Sequence, residues 1–204
     1  MADNELIRKY GIPLPIAKIV ITKQEAVDTA KHIGFPVVLK IVSKTILHKS
    51  DVGGVKLEIQ NELQFREAFE SMEKNIPKKD IDGFLVQRWY PGHWAFIGMK
   101  RDSQFGPVVA FGMGGIFVEI MKDVSLRIAP ITESDAREMI KEIKAYPVLE
   151  GARGGIKANT ELLVKIILAV SKLSMENNDI KELDLNPVVI NDKEAAAVDV
   201  RIIR

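Results

Sequence analysis

Apolar residues along the first half of the chain alternate between strand spacing and helical spacing. Runs of apolar residues at 37–41 and 55–59 have the length and composition of β-strands. Before the first run, Thr22 and Glu25 match a capping box, followed by apolar residues at helical spacing. A second amphipathic helix is predicted to begin near Asn61, after the run at 55–59. The pattern therefore predicts mixed strands and helices in this half.

A break at Pro91-Gly92 separates this half from a second one that is richer in strands. Thr132 and Thr160 precede amphipathic segments and predict the starts of two helices. We predict strands at five further places: 94–100, 108–111, 125–128, 182–190 and 195–202. The sequence thus predicts an α/β (α+β) fold with two α/β subdomains, residues 1–90 and residues 91–204.

Composition narrows the class of protein. The chain has 204 residues, of which 47% are hydrophobic and 28% are charged, with a formal net charge of +1. Without a long block of one charge sign, we expect no non-specific binding to nucleic acid or to a membrane surface. Cysteine is absent, which excludes disulfides and thiolate metal sites. The apolar runs are too short to cross a bilayer and no signal peptide is visible, so we expect a cytoplasmic protein.

The most informative segment is the loop HKSDVGGV at 48–55, which lies between two predicted strands. Paired glycines allow a sharp turn, and successive N–H groups in such a turn can bind an anion. Lys40 and Lys49 add positive charge, and His48 can exchange protons or accept a phosphoryl group. We interpret the loop as a nucleotide phosphate site. For Lys40 alone, the alternative is a surface lysine whose stem covers apolar neighbours.

Polar residues also interrupt the last two predicted strands. Asp184 and Asn186 are two residues apart, which places them on one face of a strand. Asp199 lies on the partner strand, which a predicted turn at 191–193 joins to the first strand. Carboxylate and amide oxygens suit Mg²⁺, which takes only a few ligands from protein. The alternative is a pair of polar residues on the solvated face of an edge hairpin.

Two other glycine groups leave the interpretation open. The segment FGMGGIFVE at 111–119 places Glu119 where it could bind metal, and Arg127 follows where it could bind phosphate. A tight hairpin explains those glycines equally well. The group GARGG at 151–155 fits a flexible loop between helices as well as it fits a ligand site.

Taken in order, several motifs form a recognisable set. They are VVLK at 37–40, HKSDVGGV at 48–55, FGMGGIFVE at 111–119, GARG at 151–154 and ELDLNP at 182–187. This set resembles the ATP-grasp β subunit of the ADP-forming acetyl-CoA synthetases. The resemblance implies an ATP-grasp fold that binds ATP or ADP with Mg²⁺ between two subdomains. It also implies a separate CoA-binding α subunit, and we expect an α2β2 heterotetramer.

The family's reaction converts acyl-CoA, ADP and phosphate into carboxylic acid, ATP and CoA through a phosphohistidine. The resemblance implies that His48 carries the phosphoryl group and that Asp184 orients this histidine. It also implies that Lys40 contacts nucleotide phosphates and that Asn186 and Asp199 bind Mg²⁺. The full set that we assign to the nucleotide is Lys40, Lys49, Ser50, Gly53, Gly54, Val55, Gln87 and Arg88.

One departure from the family pattern keeps two alternatives open. After the boundary the chain has Gly92-His93-Trp94-Ala95, where the family tends to have Gly-Arg-Glu. Trp94 in place of an acidic residue leaves the choice between ATP and GTP open. It also allows a non-catalytic ATP-grasp module that only binds nucleotide. A third possibility is an ATP-grasp ligase that forms an acyl phosphate, which would not need His48.

Overall fold

The computed structural model describes residues 2–46, 49–114 and 123–204. Within these ranges the helices and strands alternate along the chain much as the apolar pattern predicts. No helix among them is long and apolar enough to cross a membrane.

The chain forms two units, and the first residues belong to the larger one. The smaller unit is Pro15–Trp89, and the larger unit joins Met1–Leu14 to Tyr90–Arg204. The sequence placed residues 1–14 in the first subdomain. Ile7 and Ile12 are instead buried in the core of the larger unit, which explains why this segment packs there.

The smaller unit is a four-stranded sheet with two helices. Its elements are β1 (Ala17–Val20), α2 (Lys23–Ile33), β2 (Val37–Val42), β3 (Val55–Ile59), α3 (Glu62–Asn75), a 3-10 turn (Lys78–Asp80) and β4 (Gly83–Arg88). The strand order is β1-β4-β2-β3, and all neighbours are antiparallel. Leu39 and Ile41 of β2 pack with Phe65 and Phe69 of α3 in one buried core. The helices therefore cover the face of the sheet that carries these side chains.

Local sequence signals set the starts of both helices. The Thr22 side chain accepts the N–H of Glu25, and the Glu25 side chain accepts the N–H of Thr22, which completes the predicted capping box. Asn61 caps α3 by accepting the N–H of Gln64 at 3.0 Å. Each cap satisfies backbone donors that a helix start leaves without partners.

The larger unit contains the second sheet and the longest helix. Its elements are α1 (Ala2–Lys9), β5 (His93–Asp102), β6 (Gly106–Met113), β7 (Val124–Ile128), α4 (Glu133–Glu142), α5 (Tyr146–Leu149), a 3-10 turn (Ala152–Gly154), α6 (Thr160–Glu176), β8 (Glu182–Ile190), β9 (Ala195–Ala197) and β10 (Val200–Ile203). The strand order is β10-β8-β5-β6-β7, and β9 also pairs with β8. Ile97, Phe111 and Leu185 share one core with Leu163 and Ile167 of α6. The helices therefore lie on the face that carries these three strand residues.

The last predicted strand, 195–202, is divided into β9 and β10. Both segments pair with β8 in one continuous register, with Val188 opposite Ala197 and Leu185 opposite Val200. Pro187 lies between these pairs and has no N–H to donate, although its carbonyl accepts the N–H of Val198 at 3.0 Å. The ladder is interrupted at this point, which leaves Asp199 outside both strands.

Candidate functional site

In the smaller unit, Lys40 lies on the face of the sheet opposite the helices. Its neighbours Leu39 and Ile41 are buried in the core, whereas Lys40 is half-buried. Side chains alternate between the two faces of a strand, so Lys40 must point away from that core. We call this surface the Lys40 face. Val55 lies directly across from Lys40 on β3 and shares the face.

Of the two predicted residues at the end of β4, only Gln87 shares the Lys40 face. Gln87 is opposite Val38 in the register of β2 and β4, and Arg88 is opposite Val37. Val37 belongs to the helix-covered core, so alternation turns Arg88 toward that side. The structure therefore brings Gln87 to the Lys40 face and does not support Arg88 there.

The glycine turn is closed by its own hydrogen bonds. The N–H of Gly53 donates to the carbonyl of Ser50 at 3.1 Å, and the N–H of Gly54 donates to the carbonyl of Lys49 at 2.7 Å. The sequence predicted that these two N–H groups would bind a phosphate. In this arrangement both donors already have partners within the turn, which does not favour that prediction.

The glycines are needed for the shape of the turn itself. Gly53 has φ of +71°, which L side chains rarely adopt. A Cβ on Gly54 would lie 2.8 Å from the Ile41 side chain and 3.0 Å from the carbonyl of Lys49. Lys49 is half-buried and Ser50 is exposed on the same turn. The predicted catalytic histidine, His48, lies outside the described residues.

In the larger unit, β8 presents two polar side chains on the face away from the helices. Leu183 and Leu185 are buried in the core, so Asp184 and Asn186 alternate to the other side. The N–H of Asn186 donates to the carbonyl of Asp199 at 3.2 Å. The structure thus places Asp184 and Asn186 on one face of β8, with Asp199 opposite Asn186 but in neither neighbouring strand.

Two residues that sequence reasoning did not single out flank Asp184. Gly98 of β5 is its partner on one side, and Arg201 of β10 is its partner on the other. We call the surface carrying Asp184, Asn186, Asp199, Gly98 and Arg201 the site face. The hairpin register could have located Arg201, since the predicted turn at 191–193 sets which residues of the last strands lie opposite each other.

Asp184 is held in an environment that disfavours its charge. Its Oδ1 atom is buried and accepts no hydrogen bond from any residue that the structure describes. Burial raises the pKa of the Asp184 carboxyl, and the carboxylates of Asp199 and Glu182 raise it further, whereas the positive charge of Arg201 opposes the shift. Asp184 is therefore a proton-sensitive group in the middle of an acidic cluster.

The donor set around Asn186 fits a magnesium ion. Asp199 is exposed, Asn186 is partly exposed, and both offer oxygen ligands next to the buried carboxylate of Asp184. In the described ranges, no three His, Cys, Asp or Glu side chains converge as a metal cluster. A site with few protein ligands is what Mg²⁺ prefers, because it keeps several waters or phosphate oxygens.

The other candidate residues do not join this cluster. Arg127, proposed from sequence as a phosphate contact, pairs with Glu142 of α4 at 2.9 Å. It therefore belongs to the helix-covered side of the sheet. Gly151 has φ of +83° in a short turn, consistent with a loop between helices. Glu119 lies outside the described residues.

The two sheets and their polar clusters define the class of protein. A family model described as an ATP-grasp domain matches residues 1–203, almost the whole chain. The ATP-grasp fold inferred from the motifs is therefore confirmed.

Individual relatives refine this class. The chain is 51% identical to the beta subunit of acetate–CoA ligase [ADP-forming] I of Pyrococcus furiosus, covering 98% of this chain and 88% of that protein. It is 47% identical to acetate–CoA ligase [ADP-forming] I of Archaeoglobus fulgidus, covering 97% of this chain but 30% of that longer protein. The chain belongs to the family of ADP-forming acetate–CoA ligases and corresponds to their β subunit, which confirms the resemblance.

A solved structure gives the same result in three dimensions. It is the dinucleotide-forming acetyl-coenzyme A synthetase 1 of Ca. Korarchaeum cryptofilum, in complex with coenzyme A and Mg-AMPPCP. The TM-score is 0.85 at 45% identity, covering 98% of this chain and 89% of that one. In that structure a phosphohistidine segment points towards the nucleotide binding site.

Proposed function

We propose that this chain is the nucleotide-binding subunit of an ADP-forming acyl-CoA synthetase. The complete enzyme would convert acyl-CoA, ADP and phosphate into carboxylic acid, ATP and CoA, with the phosphoryl group relayed by histidine. The observation that carries this proposal is the cluster of Asp184, Asn186 and Asp199 on the site face. The names of the relatives support the same reaction.

Lys40 would bind the phosphates of the nucleotide. Phosphoryl transfer requires neutralisation of charge and in-line positioning more than an elaborate nucleophile. Lys40 would contribute a cation to the phosphates from the smaller unit, with Gln87 and Val55 on the same face. Lys49 and Ser50 lie on the turn that follows His48, and we propose that they contact the phosphates.

Asn186 and Asp199 would hold Mg²⁺ through their amide and carboxylate oxygens. When bound, the ion would neutralise part of the charge on the phosphates. Asp199 is exposed enough to reach such an ion, and the backbone bond from Asn186 holds the two residues side by side. The protein would supply only these few ligands, and the phosphates would supply others.

His48 would carry the phosphoryl group, and Asp184 would orient the imidazole of His48. A carboxylate that accepts a hydrogen bond from one imidazole nitrogen selects the tautomer and leaves the other nitrogen free to attack. The buried Oδ1 of Asp184 has no donor among the described residues, so it has the capacity to accept such a bond.

The partner would be a CoA-binding α subunit, in an α2β2 heterotetramer in the cytoplasm. The Archaeoglobus relative is a single chain more than three times as long as the matched segment, which supports a further part that acts with this one. The acyl group would then bind mainly outside this chain.

The decisive experiment is reconstitution with candidate CoA-binding subunits. We expect cleavage of acyl-CoA that depends on ADP and phosphate, assayed with acetyl, aryl and branched acyl groups. His48→Ala should abolish both turnover and acid-labile phosphorylation of this chain. His32→Ala is the matched control, because His32 is an exposed residue on α2.

Two other outcomes of this experiment would favour the two alternative functions. Tight nucleotide binding without turnover in any complex would indicate a non-catalytic ATP-grasp module. Full turnover by the His48→Ala protein would indicate a ligase that uses an acyl phosphate without phosphohistidine.

A further inference from the structure

Arg201 shares the site face with Asp184. The two residues are directly opposite each other in the antiparallel register of β8 and β10. Residues opposite each other in such a pair extend on the same side of the sheet. Arg201 is exposed, so its guanidinium group is accessible from solvent.

Arg201 is near the acidic cluster without being paired to it. Neither an ion pair nor a side-chain hydrogen bond joins Arg201 to another residue in the described ranges, although its charge acts on Asp184. Lys100 is a second cation on this face, and its Nζ atom lies 3.1 Å from a carboxylate oxygen of Glu182. Lys100 is therefore already paired with Glu182, whereas the N–H donors of Arg201 have no such partner among the described residues.

The charge balance of the cluster explains why a cation would be needed here. Among the described residues, Asp184, Asp199 and Glu182 place three carboxyl groups at this face, and Arg201 and Lys100 place two cations there. These carboxyl groups would repel an approaching phosphoryl group when charged, and the Mg²⁺ proposed at Asn186 and Asp199 would offset part of that repulsion. A guanidinium group presents a planar set of donors that matches two phosphate oxygens at once.

We propose that Arg201 binds the phosphoryl group that is transferred at the site face, next to the oxygen ligands Asn186 and Asp199. This inference rests on the proposed function and adds a contact that the family motifs did not supply. The arginine would hold the outer phosphate of the nucleotide, while the ribose and base bind elsewhere. It should therefore distinguish triphosphate from diphosphate.

A binding experiment on the whole chain tests this distinction. Titration calorimetry would compare Mg-AMPPCP, which has the outer phosphate, with Mg-ADP, which lacks it. Arg201→Gln should weaken binding of Mg-AMPPCP about tenfold and change binding of Mg-ADP less than about twofold. Arg201→Lys should give an intermediate loss. Lys100→Gln, the control cation on the same face, should change neither affinity.

A second measurement uses the reconstituted complex and separates contact from folding. Arg201→Ala should lower kcat roughly a hundredfold, and added guanidinium ion should restore part of it. A purely structural role would not respond to guanidinium. Equal losses for both nucleotides, or full activity of Arg201→Gln, would overturn the proposal. If the wild-type complex has no turnover, the proposed function fails instead, and the calorimetry still decides the role of Arg201.

Discussion

Replacing Asp184 with asparagine should stabilise the larger unit while it removes the relay. Burial and neighbouring carboxylates raise the pKa of Asp184 in the folded state. A group with a raised pKa binds protons more readily when folded, so the folded state loses stability as the pH rises through the raised pKa. The energetic penalty therefore grows as the pH rises and the carboxyl becomes charged. Asparagine has almost the same shape and carries no charge.

The size of the effect follows from the surroundings of Oδ1. A buried polar group without a hydrogen bond costs about 1–3 kcal/mol, and more when it is charged; asparagine leaves a polar atom buried but removes the charge. Asp184 is only partly buried, and solvent screens part of its charge, so we take the lower end of that range. Asp184→Asn should therefore raise the free energy of unfolding at pH 7 by about 1 kcal/mol. In the reconstituted enzyme the same change should lower turnover at least a hundredfold, as expected for loss of the group that orients the nucleophile.

The assay uses the two tryptophans of the chain, one in each unit. In a Trp89→Phe background, Trp94 on β5 reports urea unfolding of the larger unit. The stability difference between Asp184→Asn and its parent should shrink as the pH is lowered from 7 and the folded carboxyl takes up its proton. Asp192→Asn, at an exposed turn position, is the control. A destabilised Asp184→Asn protein, or a difference that does not change with pH, would refute the reasoning.

Three further predictions concern packing and the faces of the sheets. Gly54→Ala should destabilise the smaller unit by about 1–3 kcal/mol, because the new Cβ would overlap a buried isoleucine; an unchanged urea midpoint would contradict this. Ser171→Ala should lower the stability of the larger unit by about 1–3 kcal/mol, because the buried Ser171 hydroxyl accepts the N–H of Ile131 at 3.0 Å. Thermal unfolding measures this loss of stability. Lys40→Met should weaken Mg-AMPPCP binding about tenfold or more, whereas Arg88→Met should weaken it less than about threefold. The two side chains lie on opposite faces of the sheet. Equal losses of affinity by calorimetry would disprove this assignment.

Local signals in the sequence predicted the elements well. The capping box at Thr22 and Glu25, the helix start near Asn61 and the strands around Lys40 all depend on residues within a few positions of each other. Hydrogen bonds at helix starts and alternation along strands are short-range effects. The pattern of apolar residues therefore carried enough information to define them.

Predictions about backbone donors and strand pairing were less reliable. The turn at Gly53 and Gly54 has the expected shape, but whether its N–H groups are available depends on the carbonyls that the turn brings near. The break before Val200 depends on Pro187, which faces this strand from the neighbouring one. Such effects follow from which chain segment is opposite, and a single strand's sequence does not contain that information.

The sequence by itself determined the ATP-grasp class, the strand and helix order, and the acidic hairpin with Asp184, because motifs and periodicity are properties of consecutive residues. Only the tertiary structure decided that Arg88 leaves the Lys40 face and that residues 1–14 pack in the larger unit. These facts depend on contacts between residues far apart in the chain. Register and burial arise only when the sheets and their cores are assembled, and they decide which charges act on one another.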